Sequence, residues 1–332
     1  MSKKDVKHVI QLKFKTLIFA LMMHSVSYAI DSKASEQQAD QSIQELYHRL
    51  HMIQNTSIVD RIIWFSDQFK GANYELGSLG EGPNAHYDQF PRYRVDAFDC
   101  ETYVTTVLSL ASADSLPNFK NCLKLIRYKE GKVSYINRHH FTSVDWNQNN
   151  QQQKILKDIT LEIKDKQHKP IAIFSNTLID KSKWYTFKPL EHIRLLENNE
   201  IIQKKRLEDL KNKGSVLGSI HSKLPYLPFS SLFEQGKPRL ELFSQIPNGA
   251  IIEIIRPNWD LRQKIGTSLD VSHLGFAIWN KGTLYFRQAS SVEGKVIDIP
   301  MIKYLRQASK SPTIKGINVQ IVLSKNSLGT CI

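Results

Sequence analysis

Cys100 lies where an amphipathic helix is expected to begin, and a thiol at that position could act as a nucleophile. Apolar residues follow it at helical spacing on one face, at Val104, Val107, Leu108 and Ala111. Asp99, directly before it, is a good N-cap residue. The positive end of the helix dipole favours a thiolate. A buried structural cysteine would fit the same pattern, so these residues alone leave both interpretations open.

A histidine and a glutamine lie on two consecutive predicted strands, His273–Trp279 and Thr283–Ala289. The tripeptide Asn280-Lys281-Gly282 between them is typical of a hairpin turn. If the turn centres on Asn280 and Lys281, His273 and Gln288 lie directly opposite each other on one sheet face. Their Cβ atoms would then be about 5 Å apart. A one-residue bulge at the turn would break this register.

A Cys–His–Gln set has a clear division of chemical work. The histidine takes the proton of the thiol and later protonates the leaving amine. The glutamine amide oxygen orients the far nitrogen of the imidazole ring. Gly275 and Ala277 lie on the same strand face as His273. Because both are small, we expect the Cys100 helix to approach that face closely.

The elements that must position these residues follow in a simple order. A loop, Gly71–Arg94, leads into the Cys100 helix. Helices come first and antiparallel strands last, which favours an α+β fold. Apart from the Cys100 helix, the predicted helices are Gln37–Ile53, Ile58–Phe69, Ser115–Tyr128 and a solvated helix within Leu195–Gly214 that Gly214 ends. Apart from the hairpin, the predicted strands are Ala250–Ile255, stopped by Pro257, and Gly316–Leu323.

The 332 residues are 41% hydrophobic and 23% charged, an ordinary globular composition. Residues 1–29 differ: five lysines precede a short apolar run, Thr16–Met23, and small residues stand at Ser27 and Ala29. This pattern predicts a cleaved secretory signal peptide and an exported protein, periplasmic or secreted. No later segment is long enough to span a membrane. We therefore divide the chain into a signal peptide (1–29), an N-terminal helical segment (30–57) and one catalytic domain (58–332).

The net charge restricts the classes of binding partner, and the cysteine content restricts the possible disulfide bonds. Residues 1–29 hold five lysines and one aspartate, so their removal lowers the net charge from +13 to +9. A basic surface suits anionic partners such as cell-wall polymers or lipid headgroups, and no basic cluster interleaved with aromatics indicates nucleic acid. Three cysteines, Cys100, Cys122 and Cys331, leave at least one thiol free. Whether Cys122 and Cys331 pair stays open.

Several motifs together resemble one enzyme family. FDCETYV (Phe98–Val104) and the paired strands SHLGFAIW and LYFRQAS resemble the cysteine and histidine motifs of NlpC-type, papain-like peptidoglycan hydrolases. The N-acetylmuramoyl-L-alanine amidase-like branch is the most similar, over Arg61 to Leu323. Further motifs of this resemblance are GANYELGSLGEG, IRYKEGKVSYINRHHF with the following DW, IPNGAIIEII and LDVSHLG.

The resemblance implies a fold and roles for individual residues. The fold is α+β and papain-like (NlpC-type), with the nucleophile-bearing helix packed on an antiparallel sheet. A large insertion separates Cys100 and His273, which are 173 positions apart. Cys100 matches the nucleophile, His273 the general base, and Gln288 the third member, where the branch more often has histidine. The implied substrate-binding residues are Tyr74, Asp99, Arg138, His139, His140 and Trp146.

Some of these roles have alternatives. Asp99 is most simply the helix cap, and the main-chain N–H of Cys100 is the natural oxyanion donor. The stretch from Arg138 to Trp146 is interpreted as cleft wall, although a structural loop anchored by Trp146 would explain it equally well.

The leading hypothesis is an exported cysteine amidase that cuts peptidoglycan or muropeptides, most simply between N-acetylmuramic acid and L-alanine. A peptide-stem endopeptidase with the same site, a noncatalytic wall-binding or effector protein, and an acyltransferase are the alternatives. No His-Glu-x-x-His motif, phosphate loop or dinucleotide fingerprint is present, so we expect no metal or other cofactor. We expect a monomer with no nucleic-acid partner and no integral membrane span after signal cleavage.

Overall fold

The computed structural model describes residues 32–53, 57–197, 199–323 and 331. The predicted signal peptide, residues 1–29, lies outside the described residues. From residue 31 onward the chain forms one compact unit. The described residues contain no helix with both the length and the apolar character that a membrane span requires. The proposed boundaries at residues 30, 57 and 58 stay predictions.

Helices and strands alternate along the described chain. The helices are α1 (Ser32–His51), α2 (Ile58–Gln68), α3 (Cys100–Ala111), α4 (Leu116–Arg127), α5 (Asn147–Gln152), α6 (Lys181–Thr186), α7 (Glu200–Ser215), α8 (Phe229–Leu232), α9 (Leu240–Phe243), α10 (Arg262–Ile265) and α11 (Met301–Ala308). The strands are β1 (Asn73–Tyr74), β2 (Ala97–Phe98), β3 (Leu156–Asp158), β4 (Ile173–Asp180), β5 (Ser219–Pro228), β6 (Phe233–Glu234), β7 (Lys237–Pro238), β8 (Ile251–Asp260), β9 (Ser268–Asn280), β10 (Thr283–Ser290), β11 (Lys295–Pro300) and β12 (Gly316–Val322). Short 3₁₀ or π-helical turns lie at Lys129–Gly131, Thr142–Trp146, Thr160–Glu162 and Leu190–His192.

Ten of the described strands form a curled mixed sheet, and β6 and β7 pair separately as a two-stranded sheet. The strand order of the larger sheet is β2-β1-β11-β10-β9-β8-β12-β5-β4, with β3 paired to β12. The β1–β2 pair is parallel and the other pairs are antiparallel. Helices come first and most strands last, so the chain is α+β. The β4–β5 hairpin, which pairs Ile173–Asp180 with Ser219–Tyr226, was not predicted.

The first two predicted helices are confirmed as α1 and α2. Ser57 caps α2 in a reciprocal capping box with Asp60. The apolar stripe of α1 is buried, and the Tyr47 hydroxyl donates a hydrogen bond to the main-chain oxygen of Leu110, 3.1 Å away. The segment therefore packs into the same core as the Cys100 helix.

The helix α3 occupies the centre of that core. All of its residues from Thr102 to Ala111 are buried. It packs against the Leu274 and Phe276 face of β9, and the ring centroids of Tyr103 and Phe276 lie 5.8 Å apart. The prediction that it approaches the small-residue face was wrong. A Cβ atom on Gly275 would lie 2.6 Å from the Phe286 ring, so the missing side chain makes room for an aromatic ring instead.

Two predictions that a residue ends a strand or a helix were wrong, because the surrounding tertiary structure accommodates that residue inside the element. The strand β8 does not stop at Pro257 but continues to Asp260, because its pairing with β9 shifts register around Ile255. An irregular stretch tolerates the missing N–H of proline. Gly214 lies inside α7 rather than ending it, and a Cβ atom there would lie 2.1 Å from Tyr185. Close packing against Tyr185, and not the end of the helix, requires glycine at this position.

A disulfide bond joins Cys122 on α4 to Cys331, with the two Cα atoms 5.2 Å apart. The bond spans 209 residues of chain and attaches the C-terminal end to the helical layer. Cys100 is the free cysteine of the described residues. The pairing that the sequence left open is thus the one that spares the candidate nucleophile.

Candidate active site

The start of α3 is held by reciprocal hydrogen bonds. Asp99 Oδ1 accepts from the Thr102 main-chain N–H at 2.8 Å, and Thr102 Oγ1 accepts from the Asp99 N–H at 2.9 Å. The second carboxylate oxygen of Asp99 accepts from the Gly77 N–H at 3.0 Å. Asp99 is therefore a helix cap that also ties the preceding loop to the nucleophile helix. Both of its oxygens have partners inside the protein.

The Cys100 thiol lies against the strand that bears the histidine. The main-chain N–H groups of Leu274 and Glu101 hydrogen-bond to its sulfur. Burial raises the pKa of Cys100 to about 12, and the Asp99 charge adds to this rise, whereas the two N–H groups lower the pKa. Desolvation thus outweighs the helix-end effect that favours the thiolate. At rest the thiol is protonated and needs a base to activate it.

His273, on β9, is the candidate for that base. Its Nε2 donates a hydrogen bond to Gln288 Oε1, and because a carbonyl oxygen can only accept, Nε2 carries the proton. The lone pair of the ring is then on Nδ1. Burial lowers the pKa of His273 to about 4, against the opposing effects of Gln288 and the Asp99 charge. The imidazole is therefore neutral at neutral pH and able to accept a proton.

The contact between His273 and Gln288 forms in a different register from the predicted one. The hairpin pairs Asn280 with Thr283, so its turn is Lys281-Gly282, with φ values of 46° and 77°. Positive φ at both residues is the type I′ requirement. The direct opposition of His273 and Gln288 was wrong by two residues. An offset of two keeps both on one sheet face, and a diagonal contact spans the distance.

Tyr304 on α11 joins the site, and the motifs did not indicate it. Its ring stacks on His273, with centroids 6.4 Å apart and planes at 30°, and it contacts the Phe286 ring at 4.7 Å. The Tyr304 hydroxyl is also close enough to Cys100 for their charges to interact, and burial first, then Cys100, raises the pKa of Tyr304. A lone tyrosine on a short amphipathic helix gives no sequence signal of this proximity.

Tyr74, on β1, lies beside the nucleophile as the sequence suggested. Burial raises the pKa of Tyr74, and the neighbouring Cys100 and Asp99 add to the shift, so its phenol is a neutral hydrogen-bond donor. The main-chain N–H of Cys100 has no protein acceptor among the described residues. Contact of either group with a substrate carbonyl stays a prediction. Within the same described ranges no group of three His, Cys, Asp or Glu side chains is arranged to hold a metal ion.

Arg138 has its partners inside the protein. It forms ion pairs with the carboxylates of Glu81 and Asp88, the latter at 3.0 Å, and its guanidinium lies 5.0 Å from the centroid of the Tyr135 ring. Its charge also affects the buried Glu101, which follows the nucleophile. Arg138 is thus near the site through Glu101, and its role in substrate binding stays a prediction.

The remaining predicted residues of the cleft wall have hydrogen-bond partners within the protein, Trp146 and His139 in buried positions and His140 in a partly exposed one. Trp146 is 1% exposed and donates from Nε1 to Thr105 Oγ1 at 3.1 Å, on α3. His139 Nδ1 lies 3.0 Å from a main-chain oxygen of α4. His140 Nε2 lies 2.7 Å from the Tyr135 main-chain oxygen, among aromatic rings. These contacts agree with the alternative of a structural segment anchored by Trp146, and the substrate-binding role is untested.

The α+β scaffold carries a thiol on a helix, a neutral imidazole on a strand and an amide that orients this imidazole. These are the parts of a candidate thiol hydrolase. Residues 64–314 match the family model AmiA-like, described as N-acetylmuramoyl-L-alanine amidase-like. The chain belongs to this amidase-like family. No curated protein sequence matches the chain significantly.

Solved structures with similar folds extend over most of the chain. A Legionella pneumophila protein of the DUF1460 family is 59% identical, with 90% of this chain and 99% of that chain covered and a TM-score of 0.88. A Bacteroides uniformis N-acetylmuramoyl-L-alanine amidase is 22% identical, with coverage of 80% and 99% and a TM-score of 0.55. A Bacteroides fragilis protein provisionally named a xylanase is 26% identical, with coverage of 77% and 98% and a TM-score of 0.52.

Proposed function

We propose that this protein is an exported cysteine amidase that hydrolyses peptidoglycan or its fragments at the bond between N-acetylmuramic acid and L-alanine. The main support is one arrangement: Cys100 starts a buried helix against the strand of His273, whose Nε2 proton is held by Gln288. Membership of the amidase-like family supplies the substrate class. The helix packed on a curled sheet supports the NlpC-type, papain-like assignment, which is part of the proposal.

In the first half of the reaction, His273 Nδ1 takes the proton of the Cys100 thiol as the sulfur attacks the substrate carbonyl carbon. Negative charge develops on the carbonyl oxygen, where the Cys100 N–H and the Tyr74 hydroxyl can donate hydrogen bonds. The imidazolium then gives its proton to the amide nitrogen. The carbon–nitrogen bond breaks, the peptide leaves as an amine, and a thioester with the muramic lactyl group remains.

In the second half, water replaces the amine. The neutral His273 takes a proton from water as the oxygen attacks the thioester carbonyl, and the imidazolium returns a proton to the departing sulfur. The products are a free lactyl carboxylate, a free amino terminus on the peptide and the original thiol. Gln288 holds the imidazole in the same tautomer throughout both halves.

Export to an oxidising compartment is part of the proposal. Residues 1–29 have the sequence pattern of a signal peptide. The disulfide between Cys122 and Cys331 supports the same destination, because disulfides persist in the periplasm and outside the cell but are rare in the cytosol.

The bond that is cut can be identified from the products of a sacculus digest. The purified mature protein is incubated with sacculi, and the released fragments are analysed by mass spectrometry. Free lactyl carboxylates together with peptides that begin in L-alanine support the amidase. Shortened stems on intact muropeptides would instead favour the endopeptidase, and wall binding without any product would favour a binding protein.

The provisional name of the similar Bacteroides fragilis protein, a xylanase, suggests a different activity, the cleavage of a glycan. Glycoside hydrolysis usually needs two carboxylates that flank the bond. Near Cys100, both oxygens of Asp99 are engaged at the helix cap, and Glu101 accepts a hydrogen bond from Thr105. New reducing ends in the same digest would contradict the amidase proposal.

The decrease of kcat/KM at acid pH should reflect the protonation of His273. Since burial lowers the pKa of His273 to about 4, the imidazole stays neutral well into the acid range. We expect kcat/KM to remain on its plateau down to about pH 5 and to fall through a pKa near 4, where the protonated ring can no longer accept the thiol proton. Initial rates with a soluble muropeptide from pH 3.5 to 8 would measure this. An acid limb near the ordinary histidine value of 6.5 would contradict it.

Gln288 offers a test of the orienting role. We expect Gln288→Ala to lower kcat about 10²-fold with little change in KM, at the lower end of what a positioned general base contributes. Gln288→Glu places a carboxylate beside Nε2, so its acid limb should move to higher pH. Steady-state kinetics and pH profiles of both variants provide the measurement. An unchanged kcat in a folded Gln288→Ala protein would remove Gln288 from the site.

A further inference from the structure

Lys188 is a buried lysine whose charge is not neutralised. The residue is 7% exposed. Its Nζ lies 3.2 Å from the centroid of the Trp184 ring and 6.0 Å from that of Tyr135. Among the described residues, no carboxylate or hydrogen-bond acceptor contacts this ammonium group. Lysine is almost never so buried unless it is paired.

The carboxyl groups near Lys188 pair with arginines, although Glu81 Oε2 has no hydrogen-bond partner among the described residues. Glu81 pairs with Arg138, and Asp88 pairs with both Arg138 and Arg194. Two carboxyl groups thus face two guanidinium groups, and burial raises the pKa of Glu81. A charged Lys188 adds a further positive charge, and both arginines repel it.

The ring contact alone does not offset this burial. A cation–π contact stabilises an ammonium ion, but by less than the cost of removing that ion from water. Burial, with Arg138 and Arg194 adding to it, accordingly holds the pKa of Lys188 well below its ordinary value. An anion delivered by a ligand would remove the imbalance.

The cluster connects to the candidate active site through short contacts. Arg194 Nη2 donates to the Leu79 main-chain oxygen at 2.9 Å, and its Nη1 contacts the Gly77 oxygen. The Gly77 N–H donates to Asp99, the cap of the nucleophile helix. The loop that contains Gly77 and Leu79 therefore contacts both Arg194, in the cluster, and Asp99, at the start of the nucleophile helix.

We propose that Lys188 and the Trp184 ring form a subsite that binds a free carboxylate of the peptide part of the substrate. The subsite deepens the proposed amidase function and rests on it. An approaching carboxylate gains a charge-assisted hydrogen bond from Nζ. The aromatic rings of Trp184 and Tyr135 provide apolar walls for the aliphatic part of the same residue. Recognition of a stem carboxylate would select peptide-bearing substrate over bare glycan.

Binding to a Cys100→Ala protein tests the subsite without turnover. Two probes are compared by calorimetry: a soluble muropeptide with free stem carboxylates, and the same muropeptide with those groups converted to carboxamides. We expect the free-carboxylate form to bind at least about 10-fold more tightly, the usual worth of one charge-assisted hydrogen bond. Adding Lys188→Met should abolish that preference, and adding Lys188→Arg should retain part of it.

Lys183→Met is the matched control, because Lys183 is an exposed lysine on the adjacent α6; it should leave the preference unchanged. Thermal unfolding checks that every variant is folded. Equal affinities for the two probes in the Cys100→Ala parent, or an undiminished preference in folded Lys188→Met, would overturn the subsite. That result would leave the amidase proposal standing if the unmutated protein still releases peptides from sacculi. Carboxylate-selective binding without any hydrolysis by the unmutated protein would instead overturn the amidase proposal alone.

Discussion

Replacement of Cys100 by alanine is expected to abolish amide hydrolysis, with kcat/KM lowered by about 10⁴-fold or more. In the proposed mechanism the thiol supplies the atom that forms the acyl-enzyme, so the variant lacks its nucleophile. Cys100→Ser should be almost as inactive, because a hydroxyl is far less acidic than a thiol and His273 is a weak base in its buried site. The measurement is the rate of peptide release from sacculi or a soluble muropeptide.

The control for this variant is a substitution at Thr106, on the same helix α3. Thr106 is fully buried, and its hydroxyl has no partner among the described residues, so Thr106→Val should keep both the fold and the activity. Iodoacetamide under non-reducing conditions should modify Cys100, since the other two cysteines are joined in the disulfide, and the modification should inactivate the protein in proportion. Because burial raises the pKa of this thiol to about 12, the modification should be faster at higher pH. Digestion by a folded Cys100→Ala protein at the parental rate would refute the thiol mechanism.

The second large effect concerns Glu253, a carboxyl group in the sheet core. It is 0% exposed, and its two oxygens accept hydrogen bonds from Gln320 Nε2 at 2.8 Å and Asn147 Nδ2 at 3.1 Å. Burial raises the pKa of Glu253 to about 8, the Asn147 and Gln320 amides oppose the rise, and the charges of Asp158 and Asp270 add to it. The side chain is therefore protonated in the folded protein at neutral pH.

This shift makes stability depend on pH in a definite direction. The folded state keeps the proton up to about pH 8, whereas the unfolded chain releases it near 4.5. The contribution is fully present below pH 4.5 and is lost as pH rises toward 8. The contribution of Glu253 to the free energy of unfolding should fall by about 1.4 kcal/mol per pH unit across this window, or about 4–5 kcal/mol in all.

Urea unfolding at pH 5 and pH 8 measures the effect. Glu253→Gln removes the titrating group while keeping the size of the side chain, so the variant should lose most of that pH dependence and exceed the parent in stability at pH 8. Glu208→Gln, at an exposed position on α7, is the matched control and should behave like the parent. Parallel pH dependences in Glu253→Gln and the parent would show that Glu253 is not the responsible group.

The sequence contains local signals that were sufficient for several elements. The helix after Cys100, the capping role of Asp99 and the two N-terminal helices follow from apolar spacing and cap chemistry, which act within a few residues. The hairpin with His273 on one strand and Gln288 on the next follows from alternation and a turn signal. Its register did not follow, because Asn280-Lys281-Gly282 allows two turn positions and only the folded backbone selects one of them.

The sequence by itself determined the nucleophile candidate, the base candidate and the scaffold class, since each depends on residue type and short-range pattern. Tertiary structure decided the rest of the site. It brought Tyr304 onto His273, joined Cys122 to Cys331 and buried Lys188 without a counter-ion. It also set the protonation of Cys100 and His273, because desolvation depends on which distant segments cover a group. In the proposed reaction Cys100 therefore starts as a protonated, partly buried thiol that depends on a neutral base.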